Sequence, residues 1–376
     1  MLVHLAAREY RNFSRLDVDV PAAGLVIIGE NGHGKTNLLE AAAYLGLLRS
    51  FRGARDADVV RFGSAAFHVR ATLAAPSRWH TVTVGYERGS KKKRATLDGV
   101  EQPRLTNALG ALPSVAFSPA DVALVAGGPG DRRRYLDVML ALSSPAYLQA
   151  LQQYRAALLR RNAALRTAQR EGGRGDHEVR VQVWEPALAE HGGVVVAIRH
   201  RFVREHAERY AQLCASIGER VGAMLRYSAA GGDNSEAACT SSSAQTDALT
   251  RAFAAQRSTE LRRGITLVGP HRDELQLHLG GRDLRTFGSA GQQRSAAIAL
   301  RLLELGTLRD TLGYAPLLLL DDPFAELDLG RAGRVLALLE HAGAAQVLLA
   351  VPREEDIPHA FTRLERRTMC DGACHE

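Results

Sequence analysis

Gly29-Glu30-Asn31-Gly32-His33-Gly34-Lys35-Thr36 is the stretch that decides the fold. It fits G-x-x-x-x-G-K-[ST], the phosphate-binding P-loop, and its flanks come in the order that loop requires. Gly24-Leu25-Val26-Ile27-Ile28 is a short apolar, β-branched run that reads as a buried strand, and Asn37 to Leu48 is rich in good helix formers. Glycines let backbone N–H groups turn inward around a β-phosphate, and the helix N-terminus adds partial positive charge. Asn31, His33 and Asn37 complete the candidate nucleotide-binding set. Lys35 would reach the β/γ-phosphates as a point charge and the Thr36 hydroxyl would hold Mg²⁺, so the expected ligands are ATP and Mg²⁺. A glycine-rich turn that binds nothing is the alternative, and strand, loop and helix in register argue against it. The chain has four lysines, Lys35, Lys91, Lys92 and Lys93, so nearly all its cations are arginine. A lysine kept at 35 points to a need for a compact ammonium rather than a planar fork.

Leu317-Leu318-Leu319-Leu320-Asp321-Asp322 is an apolar strand ending in two acids. A P-loop needs such a strand beside it, delivering a carboxylate to the Mg²⁺ shell. Asp321 suits that role, which makes Thr36 and Asp321 the candidate metal ligands. Asp322, projecting the other way, suits the catalytic base that orients or deprotonates an attacking water. Most relatives of this arrangement have glutamate there, and a carboxylate one methylene shorter is compatible with slow hydrolysis. Ser289-Ala290-Gly291-Gln292-Gln293-Arg294 opens a further helix. A serine and a glycine at a helix N-terminus make a second phosphate-binding end, although on residues alone a plain helix cap reads equally well. Lying far from Lys35 in its own fold, it would serve a nucleotide held by another subunit.

The chain has 376 residues, 46% of them hydrophobic and 24% charged, the composition of a globular protein with a substantial core. No apolar run approaches the ~18–20 residues that span a bilayer, and no charged leader precedes an apolar segment at the N-terminus. The expectation is therefore a cytoplasmic protein without a membrane partner. Cys214, Cys239, Cys370 and Cys374 are too scattered for a disulfide framework. Cys370, Cys374 and His375 lack a second ligand pair and read as a mobile, reduced tail rather than a metal site. A net charge of +7 favours a polyanionic partner, nucleic acid first. Lys91-Lys92-Lys93-Arg94 at an expected hairpin tip, with Arg132 and Arg133, are the candidate DNA contacts, a solvated turn being the plainer reading of the first group.

Along the chain, residues 2–28 read as strands around the turn Arg11-Asn12-Phe13. Phe67 to Leu73, Thr81 to Tyr86 and Arg94 to Leu97 read as an antiparallel sheet, and Pro113 to Pro119 as a short strand. Helical spacing takes over from Asp131 to about Gln169 and again from Val181 to about Leu225, separated by Gly172-Gly173-Arg174-Gly175. Trp184, Leu188, Val195, Ile198 and Phe202 form a core stripe. Gly231 to Ser243 reads as a flexible loop, and Ile265 to Val268 and Glu274 to Leu279 as strands. Helix (Arg294 to Leu308), strand (Pro316 to Leu320), helix (Gly330 to His341) and strand (Gln346 to Val351) then alternate. The fold class expected is α/β, a P-loop nucleotide-binding domain with a mixed sheet and helices, interrupted by a mostly helical insertion domain; that it is an ABC-type P-loop ATPase head is what the resemblance described next implies. The expected divisions are an N-terminal ATPase part at 1–119, the insertion at 120–260 and a C-terminal ATPase part at 261–376.

Order and spacing resemble the ABC-type ATPase heads of the SMC/Rad50 kind and, within them, the RecF family of bacterial recombination-repair proteins. The matching stretches are Tyr10-Arg11-Asn12-Phe13, the P-loop through Asn37-Leu38-Leu39-Glu40-Ala41, Arg49-Ser50-Phe51-Arg52 and Phe117-Ser118-Pro119-Ala120-Asp121-Val122. They continue with Gly128-Pro129-Gly130-Asp131-Arg132-Arg133-Arg134-Tyr135-Leu136-Asp137, Arg161-Asn162, Gly269-Pro270-His271-Arg272-Asp273-Glu274, Ser289 to Arg294, and Asp321-Asp322-Pro323-Phe324-Ala325-Glu326-Leu327-Asp328. The resemblance implies that Ser289, Gly291 and Gln292, continued by Gln293 and Arg294, are the signature that closes over a partner's ATP. It likewise implies that Glu326 and Asp328 belong to the D-loop crossing a dimer interface, and that Arg11 and Asn12 lie near the nucleotide. RecF-like proteins dimerise on ATP, bind DNA where duplex meets single strand, and work with RecO and RecR to help load RecA at gaps. The implied activity is a weak, DNA-stimulated ATPase serving as a switch. One departure is Ala350-Val351-Pro352 where ABC heads carry a switch histidine.

Two other readings keep the fold. An SMC/Rad50 head or transporter subunit would change the job. Against the first, the insert's helical stretches reach only about 60 Å at 1.5 Å per residue; against the second, the signature lacks the usual second glycine. A scaffold that binds ATP without hydrolysing it is the non-enzymatic reading.

Overall fold

The structure is a computed structural model that describes residues 1–171, 176–325, 327–343 and 346–375. β1 (Leu2–Tyr10) and β2 (Phe13–Asp19) form a hairpin around Arg11 and Asn12. β3 (Gly24–Ile28) leads through the P-loop into α1 (Lys35–Leu47), and α2 (Asp56–Val59) is a single turn. β4 (Ala66–Leu73), β5 (Thr81–Glu87), β6 (Lys92–Leu97) and β7 (Val100–Glu101) complete an antiparallel sheet ordered β2-β1-β4-β5-β6-β7. Period-two alternation puts Leu5, Ala7, Leu16, Val69, Val84 and Ala95 on its buried face. There Tyr10, Tyr44 of α1 and Phe67 meet edge to face, with centroids 5.2–6.1 Å apart. β8 (Ser114–Phe117) follows, fully buried.

The chain then turns helical. α3 (Ala123–Ala126), α4 (Pro129–Ser143), α5 (Pro145–Arg170), α6 (His177–Gln182) and α7 (Glu185–Ile217) precede β9 (Ala223–Ser228). α8 (Ser242–Arg263), β10 (Glu274–Leu279), β11 (Arg282–Asp283) and α9 (Leu284–Phe287) follow, the three strands pairing antiparallel as β11-β10-β9. α10 (Ala290–Leu312), β12 (Leu317–Asp321), α11 (Leu329–His341), β13 (Val347–Val351), β14 (Glu365–Cys370) and β15 (Ala373–His375) end the chain. They rebuild the first part of the fold, because β14, β3, β13, β12 and β8 pair in parallel with β15 antiparallel on the edge. Two compact units result. One comprises 1–121, 216–218 and 298–376, the other 122–215 and 219–297.

Several expectations need correction. The helical span from Asp131 breaks at Ser144, whose hydroxyl accepts from the Tyr147 N–H (3.2 Å) with Pro145 at the first helical position. The span from Val181 is interrupted before Glu185-Pro186 and ends at Ile217. Gly218 there takes φ +120°, outside helical space, so Leu225 lies on a strand instead. Ser242 and Ser243 belong to a helix, capped by Ser241, that runs through 244–263, where the apolar spacing is too weak to announce it. Ile265 to Val268 is irregular rather than a strand. Gly264 in the left-handed region ends α8, and the Asn162 side chain takes the Thr266 N–H (2.8 Å) that a ladder would have used. The break at Gly172-Gly173-Arg174-Gly175 lies outside the described residues. The C-terminal segment is not a mobile tail: β14 and β15 extend the parallel sheet, and Cys374 packs against its core. Among the described residues no helix is long and apolar enough to cross a membrane, and no cluster of His, Cys, Asp and Glu could hold a metal through three side chains.

Candidate nucleotide-binding site

The P-loop sits between the central strand β3 and the buried helix α1. Gly32 and Gly34 take φ of +89° and +113°, which L side chains rarely adopt. At Gly34 a Cβ would also lie 2.7 Å from the Asn12 amide and 2.9 Å from the Phe13 ring. Gly34 is the N-cap of α1, with no side-chain cap and no acid in the first turn. The helix's terminal N–H groups and positive dipole end are thus left to an external anion.

Lys35 lies across the loop, donating to the carbonyls of Gly29 (2.5 Å) and Glu30 (2.9 Å). Burial pulls its ammonium below the ordinary lysine value, against the pull of Asp321 and Asp322. The Thr36 hydroxyl donates to the Asp321 carboxylate at 2.8 Å. Burial pushes Asp321 above the usual carboxylate range, opposed by Thr36, Arg52 and Lys35 and reinforced by Asp322. A half-buried carboxylate with a raised pKa beside a hydroxyl is a pair of hard oxygen donors short of positive charge, and this fits a divalent cation. Asp322 follows at φ +45°, its N–H bonded to the Ala350 carbonyl of β13 (3.0 Å), so the backbone twists sharply between the two acids.

The turn before the loop braces it. Asn12 Nδ2 donates to the His33 carbonyl (3.0 Å) and Asn12 Oδ1 accepts from Asn37 Nδ2 (2.8 Å). Arg11 points toward α1 instead of into the loop: its guanidinium meets Glu40 through two 2.7 Å bonds, and Glu40 also accepts from the Ser50 hydroxyl. Two contributors have no counterpart among the sequence-derived candidates. Arg52 donates to Asn37 Oδ1 (3.2 Å) and lowers the Asp321 pKa, and only its place in a matching stretch could have flagged it. The β14–β15 turn is the other. Gly372 N–H donates to the His33 carbonyl (3.0 Å), the His33 ring lies 3.2 Å from the Met369 carbonyl, and that carbonyl would be 2.3 Å from a Cβ at Gly29. No local signal could have found that pairing.

The remaining candidates are dispersed. In the second unit Ser289 and Gln292 form a reciprocal capping box on α10, Gln292 N–H to Ser289 Oγ (3.3 Å) and Ser289 N–H to Gln292 Oε1 (2.9 Å), with Ser289 exposed and Gly291 in the first turn. Gln293 donates to the Leu284 carbonyl and Arg294 is buried. In the first unit Asp328 caps α11, accepting from the Arg331 N–H (2.9 Å), while Glu326 lies outside the described residues. The basic run is split by the pleat. Lys91, Lys92 and Arg94 are exposed, whereas Lys93 turns inward to Asp56 (2.6 Å) and the Leu48 carbonyl (2.8 Å). Lys92 to Arg94 lie within β6 rather than at the tip. Arg132 is buried against Glu274 (2.7 Å) and three backbone carbonyls, and Arg133 donates to the Asp273 carbonyl (2.8 Å). Lys93 and Arg132 are therefore structural cations, withdrawn from any surface contact.

Residues 1–374 match the family model described as the RecF/RecN/SMC N-terminal domain. The chain is 39% identical over 368 residues to the DNA replication and repair protein RecF of Rhodococcus erythropolis (strain PR4 / NBRC 100887), covering 93% of this chain and 89% of that one. The chain belongs to the RecF family. The RecF of Chloroflexus aurantiacus (strain ATCC 29364 / DSM 637 / Y-400-fl) is 36% identical over 395 residues, covering 98% of each. Among solved structures, that of the recombination mediator protein RecF with ATPrS in the RecFOR pathway superposes with a TM-score of 0.88 at 26% identity, over 100% of this chain and 97% of that one. The fold is accordingly that of an ABC/SMC-type ATPase head within a family of DNA replication and repair proteins.

Proposed function

We propose that this RecF-family chain is an ATP-gated DNA clamp of recombinational repair. One observation carries the reading: Lys35, Thr36, Asp321 and Asp322 converge at the end of a parallel sheet, on a helix N-terminus with no cap of its own. Lys35 binds the β/γ-phosphates as a point charge, and Thr36 and Asp321 hold Mg²⁺. Bound Mg²⁺ supplies neutralisation of charge on the transferring phosphoryl oxygens. Asp322 accepts a proton from the attacking water, and its short side chain keeps turnover slow. Ser289, Gly291 and Gln292 of a second copy complete the site, with Glu326 and Asp328 at the same interface. ATP thus closes a homodimer on DNA at junctions of duplex and single strand, and DNA-stimulated hydrolysis reopens it. RecR and RecO are the expected partners, with RecA loaded downstream, in the cytoplasm.

Lys35→Ala is expected to abolish ATP binding in a nucleotide titration. Asp322→Asn should bind ATP and sediment as a stable dimer, with phosphate release lost. A monomeric Asp322→Asn protein in saturating ATP would sink the clamp. Phosphate release from the unaltered chain that ignores gapped DNA would favour the scaffold reading.

A further inference from the structure

Strand register brings arginines far apart in sequence into one line on the outer face of the β2-β1-β4-β5-β6-β7 sheet. Arg15 pairs with Arg8, Arg8 with His68, His68 with Gly85, and Gly85 with Arg94. All four side chains in that row are exposed. The neighbouring row on the same face runs from Asp17 through Ala6, Arg70, Thr83 and Thr96 to Glu101, so its acids stand at the two ends and its one arginine in the middle, with the threonine hydroxyls 2.7 Å apart. At about 4.8 Å per strand, Arg15 to Arg94 spans about 19 Å, the rise of five to six base pairs at about 3.4 Å each.

The centre of this arrangement is unfavourable for the fold. Like charges directly opposite on a sheet are destabilising, yet Arg8 faces Arg15. The acids of the face have partners of their own: Asp17 lies 2.5 Å from His4 and 3.2 Å from Arg15, Asp19 lies 3.9 Å from His4, Glu87 accepts from the Ser90 hydroxyl, and Glu101 lies 3.7 Å from Arg94. Among the described residues Arg8 and Arg70 have no carboxylate within ion-pair distance. Partial shielding from water by the neighbouring strands comes first, and then these two cations, in holding the His68 imidazole below its ordinary pKa. Gly85 leaves the middle of the row flat, and none of the face's residues is Phe, Tyr or Trp, so no stacking platform for unpaired bases is present.

We infer that this row, with Arg8 and Arg70 at its centre, is a contact surface for the phosphate backbone of duplex DNA. The inference rests on the DNA-binding reading above and adds where that contact is made, separately from the lysine hairpin. Guanidiniums and threonine hydroxyls on a flat sheet fix position on a duplex without reading its sequence.

The test uses the full chain with ATP and a short blunt duplex carrying a fluorophore, with anisotropy followed across a series of salt concentrations. Arg8→Ala/Arg70→Ala should lower the slope of log K against log[salt] by about 2, or about 0.9 for each lost phosphate contact. ATP affinity should stay as in the parent, because both side chains are exposed and neither takes part in the contacts that hold the P-loop. Arg353→Ala, which removes a cation already paired with Glu355 and Asp356, should leave the slope unchanged. A parent that binds the duplex with a steep slope and a double variant that keeps it would overturn the row while sparing the DNA-binding reading. A parent with no salt-dependent duplex binding in ATP would overturn both.

Discussion

Glu40 has no exposure to water, and the Arg11 guanidinium with its two 2.7 Å bonds is what makes that position tolerable. Removing one partner of a buried pair leaves an uncompensated charge, which costs about 3–5 kcal/mol, whereas an exposed pair is worth about 1 kcal/mol or less. Arg11→Ala should therefore lower stability by about 3 kcal/mol in urea unfolding, and should loosen the turn that places Asn12 on the His33 carbonyl. Arg353→Ala, with its exposed pairs to Glu355 and Asp356, should leave the urea-unfolding midpoint essentially unchanged. Arg132 obeys the same rule as Arg11. Read as one of a basic cluster it looks like a surface cation, but packing turns it onto Glu274. Residue type alone cannot separate these cases, because the sign of the contribution depends on whether water remains beside the charge.

At the scale of elements, the P-loop is held from both ends of the chain. The β1–β2 turn contributes the Asn12 amide and the β14–β15 turn the Gly372 N–H, both to the His33 carbonyl. Ending the chain at residue 370 keeps β14 beside β3 but removes the turn, so the fold should survive. Nucleotide affinity should fall several-fold, about 1 kcal/mol, the worth of a hydrogen bond that orients a binding loop. Nucleotide titration beside circular-dichroism melting checks this; equal affinity at equal fold would show that the hairpin only completes the sheet. The alternation of helix and strand from Arg294 to Val351 was legible because each element's period matched its burial. α8 and the C-terminal hairpin were not legible. The first has weak apolar periodicity, and the second is short and polar outside Met369 and Cys374.

The second unit carries a buried charge network with a titratable histidine in it. His271 bridges the Tyr154 hydroxyl and the Thr266 carbonyl, and its pKa is pushed down to about 4, by burial first and then by Arg272, Arg133 and Arg161. The unfolded chain binds the proton more tightly than the folded one here. Stability is therefore present above the ordinary histidine range and lost as pH falls toward 4. Acidification from neutrality to about pH 5 should cost about 2 kcal/mol from this residue. His271→Gln should remove that share of the dependence in denaturant titrations at the two pH values and leave the share of His200, which burial also pushes down to about 4. On the whole molecule, the net charge of +7 said only that a polyanion would be welcome. Strand register then turned scattered arginines into one line.

Local pattern by itself determined the P-loop, the strand and helix that flank it, the acid-tipped strand and the helix that opens at Ser289, while the ABC/SMC-type head came from resemblance to known heads. Those features depend on spacing along the chain, where side-chain chemistry and backbone period can be read directly. Only the tertiary structure decided that Asp321 would sit 2.8 Å from the Thr36 hydroxyl, that the last residues would brace the loop opened by residue 29, and which arginines stay in water. These depend on which distant segments become neighbours. Burial and charge pairing at those contacts, rather than residue identity, set the energy.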